Sequence, residues 1–325
     1  MTEPLLEVTD LSVDYLTDAA DVRAVNRVSF TVEPGEFLGI VGESGCGKST
    51  LLFAVGQLLS PPGEVAGGSV VFHGSDMVRL TGDQLRSIRW RDYSVVMQSA
   101  MNALNPTKSI GAQFMDTLQA HGNPTDEEIE QRSAEVLGLV GIDAVHLGSY
   151  AHQLSGGMRQ RAMIAMALLF TPQLVMMDEP TSALDVVAQR SLMNKIKELQ
   201  ETLGFAVIFV THDMSVVSRY SDRVLVMYAG QIAEEASTEG IFEHPLHPYT
   251  RGLMSSFPSI RGVRRELQGI PGSPPDLARP PSGCPFHPRC PEVMPMCLNN
   301  DPELYRVGDA EVRCFLYTEQ AKKAV

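Results

Sequence analysis

Residues 42–50 read GESGCGKST, a match to G-x-x-x-x-G-K-[ST] that follows the apolar run FLGIVG and precedes LLFAVGQLL. A strand that turns through glycines into a helix gathers backbone N–H groups around an anion, and the helix N-terminus adds positive potential. In such a loop Gly42, Ser44, Gly45, Cys46, Gly47 and Thr50 line a phosphate cradle. Lys48 reaches the β- and γ-phosphates, and the Ser49 hydroxyl suits Mg2+. The flanking strand and helix separate this reading from a chance glycine-rich turn. ATP and Mg2+ are the expected ligands.

A site of this kind needs carboxylates at a second strand end, and LVMMDEPTSALD (174–185) supplies them. Four apolar residues make a buried strand whose tip presents Asp178 to the magnesium shell. Glu179, next in line, is placed to orient and deprotonate water, where a lone loop carboxylate would only be solvated. Downstream, AVIFVTHD (206–213) brings His212 to a strand end, where an imidazole donates to a γ-phosphate. Strand-end histidines are usually structural, so the functional reading of His212 rests on its company.

The chain has 325 residues, enough for roughly two domains, and 44% apolar content, enough for a real core. Short β-like runs alternate with helical patterns up to about residue 245, which predicts a parallel sheet covered by helices. Between Leu80 and Leu154 amphipathic segments dominate. In DEEIEQRSAEVLGLVG (126–141), Ile129, Val136, Leu139 and Val140 keep helical spacing. From Pro245 to Pro302 lie 13 of the 21 prolines, which leaves little room for regular helices or central strands. The expected class is α/β: a P-loop NTPase (RecA-like) core over 1–244, a helical subdomain over about 83–160, and a Pro/Cys-rich appendage over 245–325.

The charge balance excludes some partners. With 26 basic and 39 acidic residues the net charge is −13, which argues against nucleic acid. The first ten residues carry Glu3, Glu7 and Asp10 and do not read as a signal peptide. The longest apolar run, the nine residues 162–170, is short of the roughly 20 that a spanning helix needs. Any work at a membrane is therefore expected to go through other proteins.

LSGGM (154–158), followed by RQRAMIAMALL, resembles the signature motif of ABC-transporter ATPases; SALD (182–185) resembles their D-loop, and Gln98 in VVMQSAMNALNP their Q-loop. The resemblance spans residues 5 to about 240. It implies that Ser155, Gly156 and Gly157 serve a nucleotide bound by a facing subunit, with two ATPs buried between two cassettes. It also implies that Gln98 and Asp185 join Glu179 and His212 in catalysis, and that Gln98 reaches Mg2+ with Ser49 and Asp178. Met158 stands where the family usually has glutamine, while the glycine-serine anion site is kept. Tyr15 falls where the family keeps an aromatic on adenine; an ordinary strand-face tyrosine is the alternative.

HPLHPYTRGLMSSFPSIRG (244–262) and GIPGSPPDLARPPSGCPFHPRC (269–290) look like the C-terminal region of oligopeptide and dipeptide importer ATPases, and NALNP (102–106) is similar to that branch. The branch also includes nickel importers. The resemblance implies a peripheral subunit on the cytoplasmic face of the cell membrane. Its partners are a second homologous ATPase subunit, two transmembrane permeases and an extracytoplasmic substrate-binding protein. A repair or translation ATPase would usually carry two cassettes or a coiled coil; a module that only binds ATP would lack Glu179 or His212.

Four of the five cysteines, Cys284, Cys290, Cys297 and Cys314, are spaced C-x5-C-x6-C-x16-C near the chain end. A reducing compartment disfavours disulfides, and structural Zn2+ usually has a closer pair. The resemblance implies a [4Fe–4S] cluster on these thiolates, with Zn2+ the alternative, as a staple far from the ATP. Cys46, with no cysteine nearby, reads as a small filler residue, with a redox thiol the alternative.

Overall fold

The computed structural model describes residues 3–17, 20–98, 103–182, 184–256 and 269–318. Asn102 of NALNP, Ala183 of SALD and residues 257–262 of the appendage motif lie outside the described residues. The strands are β1 (Leu6–Leu16), β2 (Asp21–Val32), β3 (Phe37–Val41), β4 (Gly63–Phe72), β5 (Ser75–Asp76), β6 (Tyr93–Val96), β7 (Leu174–Asp178), β8 (Ala206–Thr211), β9 (Arg223–Tyr228), β10 (Gln231–Ser237), β11 (Tyr305–Val307) and β12 (Ala310–Val312). The α-helices are α1 (Lys48–Val55), α2 (Gly82–Ile88), α3 (Ile110–Gln119), α4 (Asp126–Leu139), α5 (Gly156–Ala167), α6 (Val186–Leu203), α7 (Met214–Tyr220), α8 (Thr238–Glu243) and α9 (Pro248–Ser255). These elements form two compact units, one chiefly Glu33–Glu36 and Arg79–Phe209, the other Pro4–Val32, Phe37–Val78 and Val210 onward. The chain passes between them inside β8. The mixed α/β architecture expected from the alternating pattern is present.

In the unit containing Arg79–Phe209, β6 and β7 pair in parallel, Tyr93 opposite Leu174 through Val96 opposite Met177. All five residues of β7 and all six of β8 are buried, and for β7, parallel to β6, this is the pattern of a strand covered on both faces. The range 83–160 contains α3, α4 and the start of α5 together with β6. α4 begins at a capping box in which Thr125 and Glu128 satisfy each other's backbone N–H groups. It buries Ile129, Ser133, Val136 and Leu137, so Leu137 turns inward where the spacing pointed to Leu139. The apolar run 162–170 is largely α5, buried on nearly every side, which is why it shows no amphipathic period. Among the described residues no helix is long and apolar enough to cross a membrane.

The other unit carries an antiparallel sheet in the order β2-β1-β4-β5 and a strand series β11-β12-β10-β9-β3, in which β3 and β9 are parallel. Proline shapes the tail. α9 starts with Pro248 in its first turn, where no N–H is needed, and the later helical segments among the described residues are 3-10 turns such as His287–Arg289 and Pro295–Leu298. The two short strands β11 and β12 extend the series through β10, with Glu234 opposite Val312.

Arg132 closes the C-terminal end of α5: its guanidinium donates to the carbonyls of Leu169 (2.7 Å) and Leu168 (2.8 Å) and to Thr171 Oγ1 (2.7 Å). Helix-end carbonyls have no partners within the helix, and a cation there also meets the negative end of the dipole. Arg132→Ala is expected to cost about 1.5–3 kcal/mol, the worth of charged hydrogen bonds, read as a lower urea midpoint at unchanged slope.

Candidate functional site

The phosphate loop grows out of β3, whose five residues are all buried, and runs into α1. Two glycines are required by crowding. Gly47 sits at φ +101°, and a Cβ there would lie 2.2 Å from the Ala24 carbonyl oxygen; Gly42, at φ +155°, would meet the Met227 carbonyl oxygen at 2.3 Å. Only a residue without a side chain passes both points. The first turn of α1 holds no acidic residue and no side-chain cap, so the positive end of its dipole favours an anion.

Lys48 is buried, and its Nζ donates to the carbonyls of Gly42 (2.8 Å) and Glu43 (2.9 Å), which fixes the ammonium against the loop it serves. Cys46 is only 3% exposed. Burial raises its thiol pKa and Lys48 only partly offsets this, so the thiol stays protonated, which suits the filler reading. Tyr15 Oη is 3.3 Å from Thr50 Oγ1, so β1 brings the aromatic to the start of α1. His212 follows β8 in this same unit and is exposed.

In the unit containing Arg79–Phe209, Asp178 ends β7 with 2% exposure, and Glu179 follows at φ +43°. A non-glycine residue in the left-handed region costs on the order of 1–3 kcal/mol, and such strain collects where a side chain must be aimed. Glu179 Oε2 accepts from Gln98 Nε2 at 2.9 Å across 81 residues of sequence, which joins the two loops. Asp185 caps α6, accepting from the Ala188 N–H at 2.8 Å. Ser155 caps α5 in the same way through Met158 (3.3 Å). A Cβ on Gly157 would meet nothing within 4 Å, so this chain itself does not require that glycine.

The appendage reaches the phosphate loop, which the sequence reading did not foresee. Arg289 Nη1 and Nη2 donate to Glu43 Oε2 (2.6 Å) and Oε1 (2.9 Å), and the Glu43 N–H donates to Tyr249 Oη (2.9 Å). The expectation of a tail far from the ATP site is thus corrected: Arg289, which directly precedes Cys290, grips the second residue of the loop. A lone arginine among prolines carries no local pattern that would have announced this.

Cys284, Cys290, Cys297 and Cys314 line one cavity with His287 and Glu292. The Cys284 N–H donates to the Cys297 carbonyl (2.9 Å), tying two of the cysteine segments together. Burial, added to by the neighbouring cysteines, pushes the Cys284 thiol to about 12 and Cys314 to about 11. Only an added positive centre would make such thiols thiolates. Among the described residues no cluster of three or more His, Cys, Asp or Glu side chains is arranged to hold a metal ion.

Tyr249 owes its place to His247, whose Nδ1 accepts from the Tyr249 N–H (2.9 Å). Complete burial first, and then Arg251, depress the His247 pKa from 6.5 to about 3. The unfolded chain therefore binds more protons between these values, so His247 stabilises the fold fully above about 6.5 and loses that contribution as pH falls towards 3. The hydrogen-exchange protection factor of the Tyr249 amide, corrected for the intrinsic rate, should fall on acidification through that window, and His247→Gln should flatten the dependence.

Comparison with known proteins places these features in a family. A family model described as ABC transporter matches residues 25–182, and one described as Oligopeptide/dipeptide transporter, C-terminal region, matches 233–297. The chain is 42% identical over 319 residues to the dipeptide transport ATP-binding protein DppD of Caldanaerobacter subterraneus subsp. tengcongensis, covering 97% of this chain and 98% of that one. It is 43% identical over 319 residues to the oligopeptide transport ATP-binding protein OppD of Salmonella typhimurium, covering 97% and 95%. The solved "Dimeric Structure of MJ0796, a Bacterial ABC Transporter Cassette" superposes with a TM-score of 0.65 at 28% identity, covering 72% of this chain and 98% of that chain.

Proposed function

The chain belongs to the ATPase subunits of ABC transporters, and on that premise we propose that it powers the import of dipeptides or oligopeptides. The observation that carries the substrate class is full-length similarity to peptide-transport subunits together with the matched C-terminal region at 233–297. Residues 1–244 serve as the cassette and 245–325 as the branch-specific appendage. The subunit sits peripherally on the cytoplasmic face, with a second homologous ATPase, two permeases and an extracytoplasmic binding protein as partners.

In this reading Lys48 and the N–H groups of residues 42–50 bind the phosphates, and Tyr15 stacks on adenine. Ser49, Gln98 and Asp178 would hold Mg2+, which neutralises charge on the phosphates. Glu179, oriented by the bond from Gln98, takes a proton from water as the water oxygen attacks the γ-phosphorus and ADP leaves, while His212 donates to the transferred group. Ser155, Gly156 and Gly157 offer an anion site to the nucleotide of the partner ATPase. The open space at Gly157 supports this, since a residue that nothing in its own chain requires to be glycine leaves room for an approaching neighbour. Asp185 acts at the same junction, its carboxylate fixed by capping α6.

Glu179→Gln keeps the shape and loses the base. The assembled importer with this change should bind ATP about as tightly as wild type and lose turnover by at least about a hundredfold, the scale of general base catalysis. Near-normal hydrolysis would remove Glu179 from this role.

The four tail cysteines are read as ligands of a [4Fe–4S] cluster, with Zn2+ as the alternative. Support comes from four free thiols around one cavity, Cys297 and Cys314 buried and Cys284 and Cys290 half-buried, in a tail poor in regular structure. When bound, the group would staple this segment. Anaerobically purified protein should be brown, with about four iron and four sulfide per chain, as that cluster type requires. A colourless protein with one tightly bound zinc decides for the alternative.

A further inference from the structure

Glu43 is one of the unspecified positions of the loop motif in GESGCGKST, yet it accepts two hydrogen bonds from Arg289 and donates its N–H to Tyr249, both far along the chain. Arg289 is itself held in place. Its Nε donates to the Pro271 carbonyl (2.8 Å), and its guanidinium lies over the Tyr228 ring at 5.9 Å. Its side chain is only 5% exposed, and the nearby Glu43 carboxylate raises its pKa further above the ordinary arginine value. Tyr249, fully buried, packs on Tyr228 and Phe286 with ring centroids 4.6 and 5.5 Å away. The two groups that grip Glu43 are therefore rigid, and they hold the residue whose carbonyl also accepts from Lys48.

We propose that Arg289 is a positioning residue for ATP binding, acting through Glu43 to keep the phosphate loop in its binding shape and to neutralise a carboxylate beside the incoming triphosphate. The proposal rests on the ATPase reading and extends it to the appendage. A glycine-rich loop loses much conformational freedom when it closes on phosphate, and anchoring it beforehand lowers that cost. The bidentate fork fixes both direction and distance of the Glu43 side chain, which a lysine ammonium cannot do. An unpaired Glu43 carboxylate would repel the anion that the loop collects.

The test is a double-mutant cycle on the full-length chain, with methylanthraniloyl-ATP as the binding probe, and on the assembled importer for kcat and KM. Arg289→Ala should weaken probe binding and raise KM for ATP about tenfold, in line with loss of a charged hydrogen-bonded pair, with kcat changed less than about twofold. Arg289→Lys should fall between. In a Glu43→Ala background, Arg289→Ala should change KM by less than about twofold, because the partner is already gone. Wild-type KM in Arg289→Ala overturns the proposal, as does a loss of kcat alone. An equal effect of Arg289→Ala in both backgrounds also overturns it, since the change then acts through loosening of the tail and not through the contact. A wild-type chain that fails to bind the probe would instead remove the ATPase reading.

Discussion

Backbone passing backbone at the phosphate loop is the constraint on which the rest depends. The Ala24 and Met227 carbonyls stand where side chains at positions 47 and 42 would be, so the loop exists in this shape only with glycine at both. Those carbonyls belong to β2 and β9, and β9 runs parallel to β3, the strand that feeds the loop. The buried strands thus do more than form a core. Their register decides how close the neighbouring backbone comes, and hence which atoms of the loop face outward.

The polar groups of the site also hold up the local structure. Ser155 and Asp185 cap the helices that begin at the signature and after the D-loop, and Asp213, next to His212, caps α7 through Ser215. A cap fixes both the helix end and its own side chain, so the residues a partner or nucleotide would meet are held without further scaffolding. Glu179 differs: it sits at an unfavourable backbone angle and accepts a hydrogen bond from Gln98.

The appendage is built by a different rule. Poor in helices and strands, it is organised by buried polar groups: Glu234 accepts from the N–H groups of Leu246 (2.7 Å) and His247 (2.8 Å), His247 from Tyr249, and Arg289 donates to Glu43. Each link satisfies a group that would be costly to bury alone. The same chain of contacts carries the tail to the phosphate loop, so a segment that looks like an addition in composition shares a compact unit with residues 37–78.

Much of this was legible in the sequence. The three strands that lead to the loop, to Asp178 and to His212 announced themselves as short apolar runs, and the glycines of 42–50 and the pair Asp178–Glu179 followed from local chemistry. Such features depend on neighbours within a few residues, where backbone sterics and side-chain periodicity leave a readable pattern. Glu43 with Arg289, 246 residues apart, and Gln98 with Glu179, 81 apart, leave none. A single charge pair has no period, and only folding brings its members within reach. The left-handed backbone of Glu179 and the inward turn of Leu137 belong to the same class. Local chemistry determined what the loop binds; tertiary structure alone decided what holds the loop, because long-range partners are chosen by the geometry of the packed chain.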